Sequence, residues 1–180
     1  MLFSPSDIIP DVFLIDMERL EDERGYFARL FCRQEFKSRG LHFKLVQSSL
    51  SHNVRKGTLR GIHYQAPPHG ETKIVRCIRG AVFDVVVDIR QGSPSYGRWE
   101  AFQLTGRNHK CLYLPPGIAH GFQTVNDDTE LMYMMDREYE PQAARGIRWD
   151  DPTFGIAWPE VEERIISPKD RSLPFFNTVG

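Results

Sequence analysis

The sequence predicts a single all-β domain of the jelly-roll type, in which two antiparallel sheets pack face to face. Many short runs of the chain alternate apolar and polar residues, as strands do. Glycine and proline separate these runs, and the 180 residues contain 14 glycines and 12 prolines. Short strands divided by such turns are typical of a double-sheet fold. We therefore expect a double-stranded β-helix over residues 1–180, with a few short peripheral helices and a C-terminal arm.

The bulk composition fits one globular domain and argues against two classes of function. With 41% hydrophobic and 26% charged residues, the chain can bury an ample core. The net charge of -1, with no block of like charge, argues against binding to nucleic acid or to a membrane surface. No apolar run reaches the length of a membrane span, and the N-terminus lacks the pattern of a secretion signal. We expect a cytoplasmic protein, in which a local basic patch could still hold a phosphorylated small molecule.

The three cysteines, Cys32, Cys77 and Cys111, predict no covalent framework. Their number is odd and their spacings are unrelated, unlike those of a disulfide frame or a zinc knuckle. We expect reduced thiols, two of them in the core.

The predicted elements follow one another as short strands with one helix. The helix covers residues 34–40, a polar segment of helix formers that ends at Gly40. The strands are predicted at 12–15, 43–51, 57–65, 73–78, 81–88, 98–105, 111–114 and 130–135. Residues 22–27 alone predict a solvated glycine turn before a strand. Turn-forming prolines follow from Trp149 onward, so we expect the tail to lie over a sheet as a long arm.

A β-hairpin is predicted where two alternating runs meet at Arg79-Gly80. In the first run Lys73 shares a face with Val75 and Cys77, so its side chain points into the interior. An interior ammonium is costly unless it has a partner or a ligand. Lys73 is therefore either a paired structural lysine or a site residue.

Arg60 and His63 are the other candidate polar groups in this part of the chain. Strict alternation along residues 57–65 would make them face apart. If both serve one pocket, Gly61 must mark a bulge or kink, a role that glycine often has within strands.

Metal catalysis is not favoured by the histidine pattern. Residues 115–120 match the PxGxxH half of a cupin metal motif, which ends at His120. His63, however, has no second histidine two residues away and no carboxylate just after it. Two imidazoles without an acid make a poor site for iron, manganese or zinc, so we expect no metal.

A series of ordered motifs runs along nearly the whole chain. They are DERGYF at 22–27, GTLRGIHYQ at 57–65, KIVRCIRGAVFDVVVDIR at 73–90, SPSYGRWE at 93–100, PPGIAHGF at 115–122, YEP at 139–141, WDDPTFGIAWP at 149–159 and SPKD at 167–170. Together they resemble the dTDP-4-dehydrorhamnose 3,5-epimerase family.

The resemblance implies an isomerase that needs no metal or cofactor, is usually a homodimer, and epimerises a nucleotide-linked 4-keto-6-deoxyhexose at C3, C5 or both. Carried over by position, the resemblance implies that His63 is the base, Asp170 its partner and Tyr133 the opposing acid. The resemblance makes Lys73 a substrate contact, and an inward ammonium there would stabilise the ketone oxygen as it becomes an enolate. Substrate contacts are implied for Arg24, Phe27, Gln47, Ser49, Arg60, His120 and Tyr139. Taken alone, His63 and Tyr133 would be ordinary core residues and Asp170 a turn residue.

Several positions expected to hold substrate depart from the family pattern. Arg29 and Ala144 each stand where the family usually has a glutamate, and Gln47-Ser48-Ser49 stands where it usually has Gln-Asp-Asn. Because lost hydrogen-bonding groups change substrate preference, we expect the same reaction with a different nucleotide, sugar or inverted carbon.

Two alternatives remain open from the sequence. The first is another enzyme on the same scaffold, namely a 3-epimerase, a 5-epimerase or a 3,4-ketoisomerase. The second is a non-catalytic or metal-dependent sugar-binding cupin.

Overall fold

The computed structural model describes residues 1–176, which form two six-stranded sheets, a separate two-stranded hairpin and two short helices. The strands are β1 (Leu2–Pro5), β2 (Phe13–Asp16), β3 (Arg19–Asp22), β4 (Gly25–Ala28), β5 (Gln47–Asn53), β6 (Thr58–Gln65), β7 (Lys73–Arg79), β8 (Ala81–Asp88), β9 (Trp99–Thr105), β10 (Cys111–Leu114), β11 (Ile118–Thr124), β12 (Thr129–Met135), β13 (Ala144–Gly146) and β14 (Ile165–Ile166). The helices are α1 (Arg33–Lys37) and α2 (Pro168–Arg171).

The two sheets enclose the main core between them. The first sheet has the order β1-β2-β10-β7-β12-β5, and the second has the order β13-β6-β11-β8-β9 with β14 parallel to β6. Buried side chains from both sheets meet in one cluster, with Val75, Leu112 and Leu131 from the first and Val82, Val86 and Phe122 from the second. The jelly-roll prediction is confirmed.

The predicted hairpin at Gly80 is wrong, although both strands are present. β7 pairs with β10 and β12 in the first sheet, whereas β8 pairs with β9 and β11 in the second. Gly80, at φ +74°, is where the chain crosses between sheets. Alternation reports which residues face inward, but it carries no information about which neighbour a strand pairs with.

Gly61 does mark a bulge. In the β6–β11 ladder His63 lies opposite His120 and Arg60 lies opposite Phe122, so three steps along β6 match two along β11. Gly61 has φ +125°, and a Cβ there would lie 2.5 Å from Gly121 Cα. The extra residue rotates the strand, and Arg60 and His63 consequently face the same cavity.

The outer faces of both sheets are covered in part by chain outside the strands. Phe36 of α1 and Phe43 pack on the first sheet. The tail lies over the second sheet, where Ile147, Phe154 and Trp158 are buried, so the predicted arm is confirmed. Burying a large apolar side chain contributes roughly 1.5–3 kcal/mol, and these contacts hold the arm in place.

The predicted elements are largely confirmed, with differences at their ends. The fifth strand begins at Gln47, and residues 43–46 have no regular structure. α1 ends at Lys37, and a turn continues it to Gly40, which has φ +74°. Neither described helix is long and apolar enough to cross a membrane. All three cysteines are free thiols, with Cys77 and Cys111 buried.

Candidate active site

A histidine–aspartate pair joins β6 to the C-terminal helix. Ser167 caps α2 by accepting a hydrogen bond from the Asp170 backbone N–H at 3.0 Å, and Pro168 follows in the first turn. This places Asp170 Oδ1 2.7 Å from His63 Nε2. The His63 side chain is 42% exposed, whereas that of Asp170 is 7% exposed.

The Asp170 carboxylate is stabilised in its ionised form. Burial raises its pKa, but the hydrogen bond and charge of His63 and the bond donated by the Gly61 N–H outweigh burial and lower it below the ordinary value. A charged Asp170 accepts the Nε2–H of His63, so Nδ1 is left as the nitrogen that can take a proton.

Tyr133 is a phenol that holds its proton. It lies on β12 between β5 and β7 and packs against the main core. Burial, with the negative Asp84 nearby, raises the pKa of Tyr133 well above its ordinary value, and Arg60 opposes this only in part. At neutral pH the group is therefore a proton donor.

Lys73 is both paired and part of the cavity wall. Its Nζ lies 3.2 Å from Glu71 Oε1, with side-chain exposures of 14% and 10%. Lys73 also lines the cavity beside His63 and Tyr133, so the structure shows the pairing, and the role of Lys73 as a site residue stays a prediction.

Two more polar groups on the cavity wall are fixed by neighbours. Arg60 donates from Nε to Asn53 Oδ1 at 2.8 Å. His120 donates from Nε2 to both oxygens of the buried Asp84, each at 2.9 Å. Burial raises the pKa of Asp84, against the opposing charges of His120 and Lys73.

These side chains line a cavity with two adjoining lobes. The basic lobe, of about 380 Å³, is formed by Ser51, Arg60, His63, Lys73, His120, Phe122, Tyr133, Ser167, Lys169 and Asp170. The Tyr139 lobe, of about 300 Å³, is formed by Gln47, His63, Tyr64, Gln65, Glu71, Lys73, Tyr133, Met135, Tyr139, Ala144, Arg145, Lys169 and Leu173. The lobes share His63, Lys73, Tyr133 and Lys169. A larger cavity, of about 710 Å³, contains none of these four. The two-lobed cavity is therefore the candidate active site.

Most of the residues expected at the site meet in this cavity. The candidate catalytic residues His63, Lys73, Tyr133 and Asp170 are joined by Arg60 and His120 in the basic lobe and by Gln47 and Tyr139 in the other. Ser49 lies on β5 opposite Tyr133, with Gln47 and Ser51 as its same-face neighbours, and it is exposed.

Arg24 and Phe27 do not reach the cavity within one chain. They lie on the β3–β4 hairpin, whose strands pair only with each other among the described residues. The Arg24 side chain is 84% exposed and forms an ion pair with Asp22, and Phe27 is 72% exposed. Arg29, which departs from the family pattern, also lies outside the cavity, with its Nη1 2.8 Å from Glu35 Oε1.

Three cavity residues were not predicted from the sequence, namely Glu71, Lys169 and Arg145. Lys169 could have been found from its place beside Asp170 in SPKD, and Glu71 from its place two residues before Lys73. No feature of the sequence indicated Arg145. Residues 1–176 contain no group of three His, Cys, Asp or Glu side chains that could hold a metal ion.

Comparison with known proteins identifies the family. The family model described as dTDP-4-dehydrorhamnose 3,5-epimerase matches residues 7–178. The chain belongs to this family. A dTDP-4-dehydrorhamnose 3,5-epimerase from Sinorhizobium fredii is 42% identical over 166 residues, 92% of this chain and 85% of that protein.

Other members of the epimerase family differ in the reaction that their names give. A dTDP-4-dehydrorhamnose 3-epimerase from Streptomyces niveus is 40% identical over 91% of this chain and 78% of its own length. The dTDP-6-deoxy-D-glucose-3,5-epimerase of Legionella pneumophila, solved in complex with dTDP-4-keto-L-rhamnose, has a TM-score of 0.94 and 33% identity over 99% of this chain and 94% of that one.

Proposed function

We propose that this chain is an isomerase that epimerises a dTDP-linked 4-keto-6-deoxyhexose next to its ketone, using no metal or cofactor. The observation that carries the proposal is the convergence of the His63–Asp170 pair, Tyr133 and Lys73 on one cavity. Together they supply a base, an acid and a cation, the three groups that this reaction needs. The names of the relatives supply the substrate class.

The difficulty of the first step explains why a base alone is insufficient. A proton on carbon next to a ketone has a pKa of about 19, and an ordinary imidazolium has one near 6.5, so the transfer is uphill by roughly 17 kcal/mol. The electron pair of the broken C–H bond moves onto the ketone oxygen and forms an enolate. A cation already placed beside this oxygen lowers the barrier most, and Lys73 is the group that we assign to it.

The remaining steps use the other two groups. His63 takes the proton at Nδ1, and Asp170 stabilises the imidazolium through Nε2–H. Tyr133 then gives its proton to the opposite face of the same carbon as the enolate collapses to the ketone. The phenol and the imidazole regain their original states by exchange with water, so the cycle is balanced.

Substrate binding is assigned to the cations and to the Tyr139 lobe. Arg60 and Lys169 line the basic lobe, and guanidinium and ammonium groups are suited to a pyrophosphate. Tyr139 is 56% exposed at the other lobe, with its backbone N–H bonded to Gln47 Oε1 at 3.0 Å, and it offers a surface on which a base can stack.

A homodimer would explain why Arg24 and Phe27, which are expected to contact substrate, lie outside the cavity of their own chain. Their hairpin is exposed along most of its length, and Leu20 is 70% exposed beside them. We propose that the hairpin completes the cavity of a second copy. A mixture of Arg24→Ala and His63→Ala chains should regain activity, since one of its two sites would then be intact. An inactive mixture of folded, mixed dimers contradicts this. The cytoplasmic location stays a prediction.

Proton NMR in D2O with nucleotide 4-ketosugars tests the reaction and the carbon. Deuterium at both C3 and C5 indicates a 3,5-epimerase, and deuterium at C3 alone indicates a 3-epimerase, the activity named for the Streptomyces niveus relative. Absence of exchange with every substrate of the panel would refute the proposed function.

One position that departs from the family pattern bears on the choice of nucleotide. Ala144 lines the Tyr139 lobe, where a methyl group replaces the family's usual carboxylate. We propose that the nucleotide, sugar or carbon preference differs from that of a rhamnose-pathway enzyme. Steady-state rates on dTDP- and CDP-linked 4-keto-6-deoxyglucose measure the nucleotide preference. The same preference as a rhamnose-pathway enzyme would contradict the proposed difference.

A further inference from the structure

Glu71 has a place in the cavity that the proposed mechanism does not use. It is the sole carboxylate among the described residues that line the Tyr139 lobe. Its side chain is 10% exposed, and Oε1 lies 3.2 Å from Lys73 Nζ. Burying a carboxylate on the wall of a site for an anionic substrate costs free energy unless a partner offsets that cost. Its presence here therefore suggests a role.

The position of the Glu71 carboxylate is itself fixed. Gln65 donates from Nε2 to Glu71 Oε2 at 3.2 Å, and the same amide nitrogen lies 3.2 Å from the carbonyl oxygens of His69 and Glu138. Gln65 Oε1 accepts the Glu140 backbone N–H at 2.7 Å. Glu71 is thus anchored to Gln65 of β6, which is itself bonded to two loops.

Lys73 needs such an anchor. A lysine side chain is long and rotatable, and its ammonium is a point charge with three donors. Around the cavity the other basic side chains, Arg60, Lys169 and Arg145, repel it. A carboxylate within 4 Å removes much of the cost of holding the ammonium there, and it occupies one donor and leaves two.

We propose that Glu71 is a positioning residue, whose carboxylate holds the Lys73 ammonium where the ketone oxygen of the substrate gains negative charge. This inference rests on the proposed function. Since misplacing a charged group by about 1 Å can lower a rate about 100-fold, Glu71 acts on the rate of enolate formation and not on substrate affinity.

The test compares Glu71→Gln with a matched surface variant. Glutamine keeps the shape of the side chain and removes the charge that holds Lys73. We expect kcat and the rate of deuterium exchange to fall by about 10- to 100-fold, with KM changed less than twofold. Glu163→Gln, which removes an exposed pair with Arg55 at 3.6 Å, should leave both rates unchanged. Unchanged kcat in Glu71→Gln, or a raised KM alone, overturns the proposal.

A double-mutant cycle separates positioning from a general structural role. If Glu71 acts through Lys73, adding Glu71→Gln to Lys73→Ala lowers the rate no further than Lys73→Ala alone. Losses that multiply show that Glu71 acts independently of Lys73, and they overturn the proposal.

A measurement without substrate keeps the two proposals apart. Acetylation of Lys73 by acetic anhydride, followed by mass spectrometry, should be several-fold faster in Glu71→Gln than in the parent chain, because the lysine must leave its ion pair and lose a proton before it can react. Equal acetylation contradicts the pairing whatever the substrate is. Failure of the parent chain to exchange deuterium refutes the proposed function instead.

Discussion

Two histidine–aspartate pairs lie side by side in this molecule, and they differ in access and in charge. His63 and His120 are opposite each other on β6 and β11, and each donates to its own aspartate. The His63 side chain is 42% exposed, whereas that of His120 is 5% exposed. Identical chemical groups can therefore have different roles, because a base must contact its substrate whereas a buried histidine–aspartate pair acts only through its surroundings.

The carboxyl groups of the two pairs also differ, because their pKa values are shifted in opposite directions. The pKa of Asp170 is lowered by His63 and by a backbone N–H despite burial, and the pKa of Asp84 is raised because burial dominates there. The accessible pair thus holds a stable carboxylate behind an exposed histidine. The buried pair supports the wall beside Tyr133, whose ring centroid lies 6.1 Å from that of His120.

The largest expected effect comes from removing His63, with removal of His120 as its comparison. His63→Ala should lower kcat by roughly 10²- to 10⁴-fold, the usual contribution of a positioned base. His120→Ala should cost only about tenfold, since it alters the field and leaves the base in place. Steady-state kinetics with dTDP-4-keto-6-deoxyglucose measure both, and a larger loss from His120→Ala would reverse the assignment.

A second effect separates proton removal from proton return. Tyr133→Phe should lower turnover by about 100-fold, because no acid remains to reprotonate from the opposite face. Exchange of the substrate proton with D2O should continue, since His63 can remove a proton and return a deuteron on the same side. NMR follows both processes in one tube. Loss of exchange together with turnover would assign the first proton transfer to Tyr133.

A third prediction concerns the bulge that brings Arg60 to the side of His63. Gly61→Ala adds a Cβ against the Gly121 backbone at a φ of +125°, so the free energy of unfolding should fall by about 2–4 kcal/mol. Urea unfolding measures this change. Gly92→Ala is a control with positive φ and no atom within 4 Å of the added Cβ, and its loss should be smaller. Equal losses would mean that backbone strain alone, and not the close approach of the strands, requires Gly61.

The smallest effect is the pH dependence of the stability that each aspartate contributes. The folded pKa of Asp170 lies below its unfolded value. The stability that Asp170 contributes is therefore fully present above about pH 4 and is lost as the pH falls through the folded pKa. For Asp84 the folded pKa is raised, so ionisation costs stability and the contribution is lost as the pH rises through that pKa.

Urea unfolding at several pH values compares the parent chain with Asp170→Asn and Asp84→Asn. The stability gap to Asp170→Asn should shrink toward low pH, and the gap to Asp84→Asn should shrink toward high pH. Two gaps that change in the same direction would contradict the opposite pKa shifts of the two aspartates.

Sequence reasoning was most successful where a pattern depends on neighbouring residues alone. The inward face of β7, with Val75 and Cys77, follows from alternation, and the bulge at Gly61 follows from asking how Arg60 and His63 could share a pocket. The supposed hairpin failed because strand pairing depends on distant segments. The place of Asp170 beside His63, 107 residues away, was reached through resemblance and not through spacing.

By itself the sequence determined the class of fold, the inward lysine, the family and most of the candidate site, since these follow from local periodicity and ordered motifs. Only the tertiary structure decided which histidine is exposed, that Glu71 pairs with Lys73, and that Arg24 and Phe27 lie outside the cavity of their own chain. Exposure and ion pairing are properties of the space between segments. They arise when the two sheets and the C-terminal arm close around the same cavity.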